Sequence, residues 1–236
     1  MKEREKANVI IENIRLEGRR SLTEHESKGI LKAYGIPTTR EGLAVNLEAA
    51  LGLAEEIGFP LVLKVCSPDV VHKSDIGGVI VGLKTPSEVK EAYGGIVESV
   101  SKHKPRARIL GVLVQEMVPP GHEVIVGATR DAQFGPVVMF GLGGVFVEVL
   151  RDVSFRLAPL TREEALELMR ETRGFRLLEG FRGSKPADLE ALADVVTKVG
   201  RIITELPEIT EIDINPLFVY NKGVVAVDAR VILSQP

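Results

Sequence analysis

"PLVLKVCSPDVVHKSDIGGVIVGL", residues 60–83, decides how the first half of the chain is read. Its apolar run, Leu61 to Cys66, is broken only by Lys64 and has the pattern of a strand buried on both faces. Gly77-Gly78 ends the loop that follows, and "GVIVGL" begins another strand. A lysine at the end of a buried strand places a point charge near the backbone N–H groups of a glycine loop, an arrangement that favours a polyphosphate. Neither GxxxxGK[ST] nor a GxGxxG opening a helix is present. A tight turn at Gly77-Gly78, with Lys64 laid along a strand end, accounts for the same residues without any ligand. His72 stands in this loop, where a phosphate cradle has no evident need of an imidazole.

Working outward, Ser21-Leu22-Thr23-Glu24 reads as a capping box that opens a helix through residues 25–35, closed by Gly35 and Pro37. "EGLAV" (41–45) is expected as a short strand and "LEAALGLAEEIG" (47–58) as a helix ended by Gly58-Phe59-Pro60. Residues 86–104 form an amphipathic helix pattern. Strand patterns then crowd together at 107–118, 122–131 and 135–144, too close for parallel crossovers and therefore suited to antiparallel pairing. Helical stretches at 161–173 and 186–206 precede "ITEIDINPLFVYNKGVVAVDARVIL" (209–233), where Asn221-Lys222-Gly223 turns one strand back on another. The expected fold class is α+β with two lobes. A smaller α/β lobe covers 41–112; residues 1–40 and 113–236 form a larger one with a mainly antiparallel sheet. "VQEMVPPG" lies at the join, and a cleft between lobes is a common ligand site.

Three further constellations bear on chemistry. "EIDINP" carries Glu211, Asp213 and Asn215 at period two, on one face of a strand, and "VAVDAR" offers Asp228 on the return strand. Oxygen ligands without histidine or cysteine suit Mg²⁺, and a solvated strand edge is the alternative. Carboxylates are costly in strands otherwise this apolar, which favours a function. In "VQEMVPPGHEV", Gln115, Glu116 and Met117 end a strand whose backbone can meet an adenine edge, and Glu123 can accept ribose hydroxyls. A plain strand-turn-strand explains that stretch equally. In "FGLGGVFVEVLRD", Gly141, Gly143 and Gly144 sit between two strand-like segments, with Glu148 and Asp152 as polar candidates without assigned roles. His25, His103 and His122 read as surface or capping residues.

Bulk properties exclude several classes. A net charge of -3 and the absence of tryptophan give no case for nucleic acid. Cys66 is the only cysteine, so no internal disulfide forms, and neither a signal peptide nor a long apolar span is present. A cytoplasmic protein with no membrane association is expected.

"LTEHESKGILKAYGIPTT", "FPLVLKVCSPDVVHKSDIGGV", "VQEMVPPGHEVIVGATRDAQFGPVVMFGLGG" and "EIDINPLFV" with "VAVDAR" together resemble the ATP-grasp beta subunit of ADP-forming acetyl-CoA synthetases, the NDP-forming acyl-CoA synthetases. They are similar, more distantly, to the beta chain of succinyl-CoA synthetase. The resemblance covers nearly the whole chain. It implies an ATP-grasp fold of two lobes with nucleotide in the cleft. The implied reaction is reversible: acyl-CoA, ADP and phosphate give acid, ATP and CoA. On that resemblance His72 is a phosphoryl carrier and Asp213 the acidic residue near the transfer. Asn215 and Asp228 match the Mg²⁺ ligands, and Lys64, with the Gly77-Gly78 loop, contacts nucleotide phosphates. Gln115, Glu116, Met117, Val118 and Glu123 hold adenosine. ATP or ADP and Mg²⁺ are the implied cofactors. A CoA-binding alpha subunit is the implied partner, in an α2β2 heterotetramer that brings acyl-CoA, acid and phosphate. Two other readings stay open: an ATP-grasp carboxylate ligase that makes an acyl phosphate directly, and a non-catalytic ATP-sensing regulatory module. Which acyl group is used, ADP or GDP preference and the physiological direction are not set by these residues.

Overall fold

A computed structural model describes residues 2–70, 72–144, 151–180 and 185–235. Two helices open the chain, α1 (Glu3–Leu16) and α2 (Glu24–Ala33). The described residues divide into two compact units: Thr23–His25 with Thr39–Pro119, and the remainder.

In the unit containing 39–119, β1 (Glu41–Ala44), α3 (Leu47–Ile57), β2 (Leu61–Cys66), β3 (Val79–Leu83), α4 (Pro86–His103) and β4 (Gly111–Glu116) follow in order. The strands form an antiparallel sheet in the order β1-β4-β2-β3. β2 is interior and every one of its residues is buried, as its apolar run requires. Leu61, Leu63 and Val65 of β2 pack with Ala50 and Ala54 of α3 and Val89, Ala92 and Ile96 of α4, so the alternate residues Val62 and Lys64 belong to the opposite face. Local chemistry starts both helices: the Asn46 side chain accepts from the Ala49 N–H at 2.8 Å, and Thr85 caps α4 with Pro86 in its first turn. β4 pairs with both β1 and β2, so this unit runs on to Pro119, past the boundary at 112 read from the sequence.

The other unit contains β5 (His122–Asp131), β6 (Gly135–Leu142), β7 (Val153–Leu157), α5 (Arg162–Arg170), α6 (Phe175–Leu178), α7 (Leu189–Glu205), β8 (Ile209–Val219), β9 (Val224–Ala226) and β10 (Ala229–Leu233). Its antiparallel sheet has the order β10-β8-β5-β6-β7, with β9 paired to β8. The apolar side of α7, including Leu192, Val196, Val199 and Ile203, shares one core with Val126, Val138 and Phe140 of the sheet and with Ala7, Ile11 and Ile14 of α1. The strand pattern expected over 145–150 lies outside the described residues. Among the described residues, no helix is long and apolar enough to cross a membrane.

One expected element starts elsewhere. Ser21 is not a helix cap: it forms an isolated antiparallel bridge with Ile232, and the Leu22 N–H donates to the Val231 carbonyl at 3.0 Å. The helix therefore begins at Glu24. Backbone pairing has claimed the residues that a capping box would use.

Asp188 ties α7 to the sheet. Its Oδ1 accepts from the Ala191 N–H at 3.0 Å, and its Oδ2 accepts from the Gly223 N–H in the β8–β9 turn at 2.7 Å. These bonds hold its carboxyl below the usual carboxylate range. A depressed folded-state pKa stabilises above the unfolded value and loses that contribution as pH falls through the folded one. Asp188→Ala is expected to lower stability at neutral pH by about 1–2 kcal/mol. The gap from the parent should close as pH drops below ~4, measured by urea unfolding at a series of pH values.

Candidate active site

The turn that carries His72 is built from backbone outward. A single turn of 3-10 helix, Ser74–Ile76, ends at Gly77 with φ 66°, a left-handed conformation that glycine adopts without steric cost. Gly77 N–H donates to the Ser74 carbonyl at 3.2 Å, and Gly78 N–H to the Lys73 carbonyl at 2.8 Å. Gly78 in turn accepts from the Val65 N–H on β2 at 2.7 Å. A Cβ at 78 would stand 2.8 Å from the Lys73 oxygen and 2.8 Å from Val65 Cγ1. The glycines therefore shape the turn, and the amides expected to face phosphate are spent inside it. From α4, Ser99 Oγ donates to the Ile76 carbonyl at 2.8 Å. His72 itself is exposed.

Lys64 lies beside this turn, paired in register with Val79 of β3 and Leu113 of β4. It is buried, and its Nζ donates to Glu24 Oε1 at 2.6 Å. The other oxygen of Glu24 accepts from Lys73 Nζ at 2.7 Å. Two lysines thus share one carboxylate whose side chain is 3% exposed. Glu24 went unnoticed in the sequence because it read as a cap and stands 40 residues from Lys64.

On the same sheet face, Gln115 is buried opposite Val62 and Glu41. Glu116 is engaged by Arg40: its Oε1 accepts from the Arg40 N–H and its Oε2 from Nε, each at 2.7 Å. The Met117 N–H donates to the Pro60 carbonyl at 3.0 Å while its side chain stays exposed, and Val118 is half-buried. Lys64, the glycine turn and Gln115–Val118 are thereby neighbours in one unit.

In the other unit, the register between β5 and β8 shifts: Val124 pairs with Leu217 but Val126 with Ile214, so Asn215-Pro216 oppose Ile125 alone. This bulge admits a proline inside a sheet and lets Ile212, Ile214, Leu217 and Val219 all point inward. Glu211, Asp213 and Asn215 take the other face. The Asn215 N–H donates to the Asp228 carbonyl at 3.2 Å, which brings the two predicted metal ligands together. Asp213 sits between Gly127 and Arg230 in the ladder. Burial pushes its carboxyl above the usual carboxylate range; Arg230 opposes the shift, while Glu211 and Asp228 add to it. Glu211 has its own partner in the Arg230 guanidinium. Glu123 is exposed on β5, where its carbonyl accepts from Gly143 N–H at 2.7 Å, and a Cβ at 143 would meet Glu123 Cβ at 2.9 Å. Asp152 accepts from the Arg173 and Gly174 N–H groups and so organises the start of α6; Glu148 lies outside the described residues.

Two carboxylates and an amide oxygen, with no imidazole or thiol, fit a hard cation. Among the described residues no group of three or more His, Cys, Asp or Glu side chains forms a metal cage. Mg²⁺ typically keeps one or two protein carboxylates and completes its shell with phosphate oxygens and water.

An ATP-grasp domain family matches residues 13–233. The beta subunit of acetate–CoA ligase (ADP-forming) I from Pyrococcus furiosus is 53% identical over 228 residues, 97% of this chain and 98% of the relative. The chain belongs to this ATP-grasp family. Acetate–CoA ligase (ADP-forming) I from Archaeoglobus fulgidus is 49% identical, and the match covers 99% of this chain but 34% of that longer one. Among solved structures, dinucleotide-forming acetyl-coenzyme A synthetase 1 from Ca. Korarchaeum cryptofilum superposes with a TM-score of 0.85 at 49% identity. That match covers 97% of this chain and 100% of the other, in a complex with coenzyme A and Mg-AMPPCP whose phosphohistidine segment points towards the nucleotide-binding site. A second structure of that enzyme, TM-score 0.91 and 49% identity over the same shares, holds coenzyme A, acetyl-coenzyme A and a phosphorylated phosphohistidine segment in its site I orientation. The expected α+β ATP-grasp fold and family are borne out. The readings as a direct acyl-phosphate ligase or a sensor module find no support among these relatives.

The turn's geometry sets an expectation. Gly77→Ala should cost about 1–2 kcal/mol for the left-handed conformation. Gly78→Ala should cost about 1–3 kcal/mol, because Lys73 backbone or Val65 must move. Urea unfolding of each variant measures the loss.

Proposed function

We propose that this chain is the nucleotide-handling beta subunit of an ADP-forming acyl-CoA synthetase of the acetate type, and that His72 carries a phosphoryl group to and from ADP. The observation that carries this reading is the turn fastened to the strand of Lys64, with an exposed imidazole at its head. The Korarchaeum relative's phosphohistidine segment supports it.

The unprotonated imidazole nitrogen of His72 attacks the γ-phosphorus of ATP; an N–P bond forms as the bond to the ADP oxygen breaks, and the reverse step makes ATP. Neutral imidazole presents a nitrogen lone pair for the attack, so the step needs no separate base. Lys64 offsets charge on the nucleotide phosphates, and Gln115–Val118 with Glu123 hold the adenosine. Gly77 and Gly78 shape the turn that presents the histidine. Asp213 is the acidic residue assigned to the transfer. Asn215 and Asp228 would hold Mg²⁺, which supplies neutralisation of the phosphate charge. The acyl and CoA chemistry belongs to a CoA-binding alpha subunit, which the Archaeoglobus relative's extra length could contain in one chain. An α2β2 assembly in the cytoplasm completes the reading.

Incubation with Mg²⁺ and γ-labelled ATP should label wild-type protein at His72, with acid-labile and base-stable phosphate. His72→Ala should take up only background label; retention of full labelling would sink the carrier role. Asp228→Asn should raise the Mg²⁺ concentration needed for labelling by ~10-fold or more, read as a metal titration of the labelling rate.

A further inference from the structure

Glu24 stands outside every expected ligand set, yet its carboxylate is among the most deeply buried charges in the chain. The interactions around it form a closed circuit. From Val65 on β2 the circuit passes through its N–H to the Gly78 carbonyl at 2.7 Å, and from the Gly78 N–H to the Lys73 carbonyl at 2.8 Å. From Lys73 it passes through Nζ to Glu24 Oε2 at 2.7 Å, and from Oε1 back to Lys64 at 2.6 Å. It begins and ends on adjacent residues of one strand. His72 is bonded directly to Lys73, the residue where the side-chain and backbone halves of the circuit meet.

We propose that Glu24 is the positioning residue of the His72 turn: through Lys73 it sets where the imidazole is presented, and through Lys64 it couples that placement to the phosphate-binding strand. Charge-assisted bonds to a buried carboxylate are short and directional, so one acid fixes both ammonium groups at once. A surface carboxylate could not do this, because solvent would compete for each lysine. The proposal rests on the reading of His72 as phosphoryl carrier. It assigns Glu24 no contact with the reacting atoms.

The test uses the full chain, reconstituted with its CoA-binding partner, and four variants: Glu24→Gln, Lys73→Met, Lys73→Arg and the double variant Glu24→Gln/Lys73→Met. Lys73→Met, at a half-buried position, should slow single-turnover labelling of His72 from Mg-ATP about tenfold while nucleotide affinity stays within about twofold. Glu24→Gln should slow labelling at least as much and also weaken nucleotide binding. The double variant should be no slower than Glu24→Gln alone, because both changes break one circuit. Lys73→Arg should restore most of the rate. Amide exchange at Gly78 should accelerate about tenfold in Lys73→Met, since the turn is then held by fewer bonds. Wild-type labelling and exchange in Lys73→Met overturns the proposal, and so do effects that simply multiply in the double variant. If wild-type protein takes up no label at all, the carrier reading fails, and the exchange measurement alone then decides whether Glu24 holds the turn.

Discussion

A lysine on an interior strand has to bring a carboxylate with it. Lys64 sits in β2, all of whose residues are buried, and an ammonium there without a partner would be strongly disfavoured. Glu24 meets that demand, and because it has two oxygens it also engages Lys73. The His72 turn, the end of β2 and the start of α2 are therefore organised by one acid. The aliphatic stem of Lys64 remains on the sheet face that also carries Gln115, so polar and apolar requirements are met by the same side chain.

The second unit solves a related problem with backbone rather than side chains. A strand cannot alternate strictly and also place Asp213 and Asn215 outward with Leu217 and Val219 inward. One extra residue at Asn215-Pro216 resets the alternation. The bulge brings the Asn215 amide to the Asp228 carbonyl, so two residues 13 positions apart (228 − 215) come to one place through main-chain geometry. Proline fits there because its missing N–H falls where the ladder is already interrupted.

How much of this was legible in the sequence follows from range. The apolar run of β2, the period-two acids of "EIDINP" and the turn at residue 223 are local signals, and each became the expected element. α1 was overlooked because its first residues are charged, while its buried positions, Ala7, Ile11 and Ile14, are spaced thinly along one face. The capping motif at Ser21 was real as a pattern but lost to a bridge with Ile232, 211 residues away (232 − 21), and no local rule could foresee it. β4 followed the lobe before it rather than the strands after it, because its partners are β1 and β2. The site residues were named from pattern and resemblance; the bond each one makes, above all those to Glu24, depends on contacts between distant segments.

The closeness of Gly78 to β2 has a consequence for anyone wishing to move this turn. With 2.8 Å from a would-be Cβ to both Val65 and the Lys73 oxygen, the loop cannot be lifted out as a portable peptide. A graft would have to carry the strand end with it, and an acid delivered from a separate helix. The His72 loop is thus a piece of tertiary structure that only looks like a short linear motif.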